Sequence, residues 1–88
     1  MKHITVFHKA NCQPCRLTMK TLDKLGATYV ARPLDDGGPE AARVLAIAKD
    51  RGLTAAPLVE VRGDDGEPER LVSGYRPSIL REIVGAAQ

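Results

Sequence analysis

Apolar positions along the chain follow two different spacings in turn, and each spacing predicts a different kind of element. His3 to His8 (HITVFH) is short and rich in β-branched and aromatic residues and is followed by Lys9-Ala10-Asn11, the pattern of a buried strand leaving into a loop. From Cys15 the apolar residues fall at Cys15, Met19, Leu22 and Leu25, one face of a helix, and Gly26 follows as a stop. ATYVARPL (27–34) reads as a second strand ending near Pro33. The turn residues of DDGG then lead to Pro39 at a first helical position, and that helix closes on Gly52 with Ala41, Val44, Leu45 and Ala48 as its inward stripe. PLVEVRGDDGEPERLVS (57–73) gives two strands joined by a Gly/Asp-rich turn. The segment from Pro77 places Ile79, Leu80, Ile83 and Val84 at helical spacing.

The predicted order is therefore βαβαββα: two parallel strands with helical crossovers, then an antiparallel hairpin and a covering helix. Elements in that order build an α/β domain with one four-stranded mixed sheet flanked by three helices. With 88 residues and no repeat or linker, the chain is read as a single domain of residues 1–88.

Composition narrows the function classes. Thirteen Lys and Arg against eleven Asp and Glu are interspersed, for a net charge of +2, so no basic arm for a phosphate backbone or an acidic lipid stands out. Two Tyr and one Phe give little to stack bases on, and nucleic acid is not an expected partner. No apolar run approaches the roughly twenty residues of a membrane span, and the N-terminal apolar run is too short for a signal peptide, so a cytoplasmic protein is expected.

In a reducing compartment a close cysteine pair points to redox chemistry or metal rather than a permanent staple. Cys12 falls where the first helix begins, near unpaired backbone N–H groups and the positive end of the helix dipole, which stabilise a thiolate. Cys15 starts the apolar stripe, so its sulfur is expected to be the more buried. That asymmetry makes Cys12 the attacking thiol and Cys15 the resolving thiol one turn away. Pro14 is tolerated in a first helical turn and stiffens the Gln13-Pro14 link. Lys9 either turns inward to support the thiolate or stays solvated. A structural zinc site wants about four ligands, and two cysteines with His3 and His8 on one strand do not supply a second pair at matching spacing, so no metal is expected. Pro57 stands immediately before a strand; on the residues alone a trans proline marking the strand start is favoured over a cis bond.

The combination FHKANCQPC, TAAP and SGYRP resembles the glutaredoxin-like redoxins of the NrdH type over nearly the whole chain. The resemblance implies the thioredoxin-like fold, with Cys12 as nucleophile, Cys15 as resolving thiol and Pro57 as a cis-proline beside them. It also implies that Ala56 offers its backbone N–H and C=O to an incoming chain. Ser73, Gly74, Tyr75, Arg76 and Pro77 resemble the family's WSGFRP signature, with Val72 in the place of the Trp, and imply a partner-docking loop to which Lys9, Gln13 and Pro14 are added. Gln13-Pro14 itself is closer to the thioredoxin-type pair than to the usual NrdH-type one. Family members with this signature donate electrons to class Ib ribonucleotide reductase and accept them from thioredoxin reductase. The Gly-Gly and acidic residue with which glutaredoxins hold glutathione are replaced by Gly74-Tyr75-Arg76-Pro77.

The expected function is thus a monomeric dithiol–disulfide oxidoreductase with no cofactor beyond a Cys12–Cys15 disulfide. The alternatives are a glutathione-dependent glutaredoxin and a non-catalytic binding module on the same fold.

Overall fold

The structure is a computed structural model that describes residues 2–35, 38–66 and 68–87. Its elements run β1 (His3–His8), α1 (Gln13–Lys24), β2 (Val30–Pro33), α2 (Pro39–Asp50), β3 (Leu58–Arg62), β4 (Pro68–Ser73) and α3 (Pro77–Ala87). This is the order that the sequence predicts, and β1 has the predicted bounds. The turn residues Asp36 and Gly37 and the turn residue Glu67 lie outside the described residues.

The four strands form one mixed sheet in the order β2-β1-β3-β4. β1 pairs in parallel with β2 and antiparallel with β3, and β3 pairs antiparallel with β4. Side chains alternate across the sheet, so β1, β3 and β4 feed two cores, while the edge strand β2 is exposed along its length. Ile4, Val6, Val59, Val61 and Val72 pack on one face with Leu22 of α1 and with Leu80, Ile83 and Val84 of α3. Phe7 and Leu58 pack on the other with Leu34 and with Val44 and Ala48 of α2.

Both stop signals operate as the sequence suggests. At the end of α1, Gly26 has φ +70°, its N–H donates to the Asp23 carbonyl at 3.1 Å and that of Ala27 donates to Leu22 at 3.0 Å. At the end of α2, Gly52 repeats φ +70°, with Gly52 bonded to Lys49 at 3.2 Å and Leu53 to Ala48 at 2.8 Å. These are paired Schellman bonds, which require a left-handed residue that glycine supplies without steric cost.

Three expectations need correction. The second strand starts only at Val30, because Ala27 is spent closing α1 and Tyr29 turns its hydroxyl back to Asp23 Oδ1 at 2.9 Å. Leu45 is not part of the inward stripe of α2: it is 42% exposed, at the rim of a cleft described below. Thr18, absent from the predicted stripe of α1, is fully buried, while Met19 is only partly so. Among the described residues, no helix is long and apolar enough to cross a membrane.

Candidate active site

Cys12 is the N-cap of α1, with extended backbone (φ −111°, ψ 106°), and its sulfur accepts a hydrogen bond from the backbone N–H of Cys15 at 3.2 Å. Asn11 sets it up: its φ of 55° lies in the left-handed region, which asparagine tolerates better than most residues, and it turns the chain from the β1 loop into the helix. The Cys12 carbonyl takes the N–H of Arg16 at 3.2 Å, so the helix ladder begins at the cysteine itself.

The electrostatics favour negative charge on that sulfur. It sits on the positive end of the helix dipole, and the first turn of α1 holds no acidic residue to oppose it. Arg16 adds a cation in that turn, donating through Nη2 to the Gln13 side-chain oxygen at 3.0 Å. The sequence reading passed over Arg16; a basic residue directly after the second cysteine was the available signal.

Cys12 and Cys15 are joined as a disulfide, with Cα atoms 5.2 Å apart. The two sulfurs differ in access, Cys12 being half-buried and Cys15 only 1% exposed. One turn further into α1, the Thr18 hydroxyl is buried without a hydrogen-bond partner among the described residues.

Pro57 comes to the same end of the sheet. Leu58 pairs with Phe7 at the end of β1, so Pro57 lies level with His8, three residues before Asn11. The Ala56–Pro57 bond is cis, as the resemblance implies and contrary to the trans proline favoured on the residues alone. Pro57 is fully buried, and its carbonyl accepts from the N–H of Gly74 at 2.9 Å.

The SGYRP segment braces this loop. Ser73 Oγ accepts from the Ala55 N–H at 3.1 Å and donates to the Ala55 carbonyl at 2.7 Å, holding both polar groups of one residue. Gly74, at φ +81°, is a position that disfavours a side chain, and a Cβ there would face that of Ala55 at 3.8 Å. The Tyr75 hydroxyl bonds Thr21 Oγ1 of α1 at 3.0 Å, Arg76 Nε donates to the Ser73 carbonyl at 3.2 Å, and Pro77 opens α3. Val72, where the signature has Trp, points into the core and not to this surface.

With Ala55 occupied by Ser73, the N–H and C=O of Ala56 are left without a protein partner among the described residues. Lys9 is exposed and borders a small cleft of about 40 Å³ with Leu34, Leu45, Thr54 and Ala56. Leu45 thus gives an apolar rim next to Lys9. Its exposure is not legible from the helical stripe, which gives spacing and not the partners packed against it. Among the described residues, no group of three His, Cys, Asp or Glu side chains is placed to hold a metal.

No protein-family model matches this chain, and comparison with curated protein sequences finds no match. Solved structures do. NrdH-redoxin from Escherichia coli, a glutaredoxin-like protein described as having a thioredoxin-like activity profile, is 26% identical with a TM-score of 0.69, over 91% of this chain and 92% of that one. A glutaredoxin from Archaeoglobus fulgidus is 24% identical with a TM-score of 0.67, over 96% and 87%. The oxidised form of mitochondrial thioredoxin 3 from Saccharomyces cerevisiae is 24% identical with a TM-score of 0.67, over 97% and 77%. The chain has the thioredoxin-like fold and carries a CxxC disulfide, Cys12–Cys15, at the start of α1.

Proposed function

We propose that the protein is a dithiol–disulfide oxidoreductase that reduces a disulfide in another protein, most directly in a class Ib ribonucleotide reductase, and is itself reduced by thioredoxin reductase. The observation that carries the reading is the unequal pair: a half-buried Cys12 at a helix N-terminus, its sulfur receiving an N–H, beside a fully buried Cys15 one turn away.

The reaction balances as two thiol–disulfide exchanges. In the reduced protein the Cys12 thiolate attacks one sulfur of the target disulfide; a Cys12–target S–S bond forms, the target bond breaks, and its other sulfur leaves as a thiolate that takes a proton. Cys15, losing its proton, then attacks the Cys12 sulfur. The Cys12–Cys15 bond forms, the mixed disulfide breaks, and the second target sulfur leaves and is protonated. Two electrons have passed to the target, and the protein is left with the disulfide present in this structure.

The helix terminus lowers the energy of the attacking thiolate, and the tether of one turn makes the second exchange intramolecular. The unpartnered Ala56 peptide groups suit a short strand-like contact with the target chain. Tyr75, Arg76 and Pro77 in place of a Gly-Gly and acidic cradle favour thioredoxin reductase over glutathione as the electron source.

The test follows NADPH consumption with a protein disulfide as acceptor, once with thioredoxin reductase and once with glutathione and its reductase. Turnover with thioredoxin reductase and little with glutathione is the expected result. Turnover with glutathione alone overturns the donor assignment, and none with either leaves a binding module.

A further inference from the structure

The sheet face under α2 changes character along its length. At the end nearest the disulfide it carries Phe7 and Leu58 in an apolar cluster; further along the same face come Thr5 paired with Glu60, then His3 paired with Arg62. A sheet face beneath a helix is ordinarily apolar, and a carboxylate taken out of water costs several kcal/mol unless it is paired. Glu60 nevertheless has a side chain only 3% exposed. Breaks in the fold's own pattern of this kind concentrate at functional sites.

Here the polar half of the face borders a cavity of about 440 Å³ that includes Thr5, Arg32, Glu40, Glu60 and Arg62 in its wall. Asp64 also lies in the wall, 3.7 Å from His3 Nε2, and the two glutamates are held by Arg43. Both oxygens of Glu60 are taken by Arg43 Nη1 and Nη2, each at 2.8 Å, and Nη2 also bonds Glu40 at 2.9 Å. Among the described residues Arg62 Nε is buried without a hydrogen bond, its ion-pair distance to Glu60 Oε1 being 3.7 Å. Arg32 and Thr5 make no side-chain hydrogen bond or ion pair among the described residues. The Glu40 carboxyl is held below its usual range first by the hydrogen bond and charge of Arg43, then by the charges of Arg62 and Arg32, so three guanidinium groups converge on this corner.

We propose that this cavity binds a small phosphorylated metabolite, with the phosphate between Arg32 and Arg62 and the Thr5 hydroxyl as a further donor. Planar guanidinium groups with unused N–H donors match phosphate oxygens. The volume lies in the range of about 300–1,000 Å³ usual for small-ligand pockets and exceeds what a bare oxyanion fills. A metal is disfavoured because Glu40 and Glu60 are already held by Arg43 and Asp64 lies 3.7 Å from His3. Arg62 pairs with His3 and Arg32 with Phe7, so the cavity runs along β1 and Cys12 lies beyond the His8 end; the site uses none of the residues of the redox reading.

The test is a titration of the labelled protein, followed by amide NMR at constant ionic strength, with ribose 5-phosphate, ribose and inorganic phosphate. Saturable shifts centred on Thr5, Arg62 and Gly63 are expected with ribose 5-phosphate, none with ribose, and weaker ones with phosphate. The double variant Arg32→Gln/Arg62→Gln should weaken binding by at least about tenfold, as should Arg32→Gln alone in part, at an exposed edge position that the fold does not depend on. Absence of saturation, shifts that persist in both variants, or phosphate binding as tightly as ribose 5-phosphate would overturn the proposal.

Discussion

The backbone N–H of Cys15 points at the sulfur of Cys12 from 3.2 Å, so the resolving residue also stabilises the attacking one. The same helical turn that shields Cys15 supplies the donor that Cys12 needs. Separate substitutions should therefore fail in different ways.

Cys12→Ser should abolish disulfide reduction, whereas Cys15→Ser should still attack and then stall as a mixed disulfide with the target. Non-reducing electrophoresis of each variant with a protein disulfide distinguishes them: the trapped adduct is expected with Cys15→Ser only.

Ser73 holds both polar groups of Ala55 and so stiffens the loop that presents Ala56 and Pro57. Ser73→Ala removes two partly exposed hydrogen bonds, together worth about 1–2 kcal/mol. Amide exchange at Ala55 should speed up by roughly tenfold, with a smaller change across β1 and β3.

Glu60 and Arg43 join β3 to α2 through a two-pronged ion pair at 2.8 Å. Glu60→Ala leaves a guanidinium that is only 28% exposed with Glu40 as its remaining carboxylate, and should cost about 3 kcal/mol in urea unfolding. A double Glu60→Met/Arg43→Met variant should recover much of that loss, since neither charge is then left unmatched.

Acid should weaken the same corner. Because the folded state lowers the Glu40 pKa, chiefly through its hydrogen bond to Arg43, the associated stability is fully present above the ordinary carboxylate pKa and is lost as pH falls through the lower, folded-state value. Glu40 is half exposed, so the effect is small. Glu40→Gln should flatten the acid limb of a plot of melting temperature against pH without changing it near neutrality by more than the loss of one surface pair.

The Thr18 hydroxyl, fully buried, has no hydrogen-bond partner among the described residues. Thr18→Val keeps the shape and removes the unpaired group, so the melting temperature of the oxidised protein should stay level or rise, by up to about 1 kcal/mol in stability.

Local rules carried most of the fold. A short β-branched and aromatic run followed by loop residues located β1, and two glycines at positive φ marked the ends of α1 and α2. What escaped the sequence depends on partners far away along the chain. Leu45 fits an inward stripe by spacing, yet it is 42% exposed and lines a cleft with Lys9 and Ala56. Glu60 sits in LVEVR as any strand acid would, and only the approach of Arg43, seventeen positions earlier, makes its burial tolerable. Thr18 was hidden for the converse reason, since a helical stripe read by hydrophobicity omits a hydroxyl.

The site divides in the same way. The cysteine pair is legible because strand, CxxC and helix are contiguous. The Ser73–Ala55 brace and the Tyr75–Thr21 bond span 18 and 54 positions, and no local pattern announces them.

The central claim is that Cys12 is the accessible thiolate and Cys15 its shielded mate, and the most direct measurement is the pH dependence of alkylation of each cysteine in the freshly reduced protein. Cys12 should react first, with an apparent pKa well below the free-thiol value of about 8.5, while Cys15 stays protected at neutral pH. Equal reactivity of the two, or a Cys12 that titrates at or above the free-thiol value, would contradict the account.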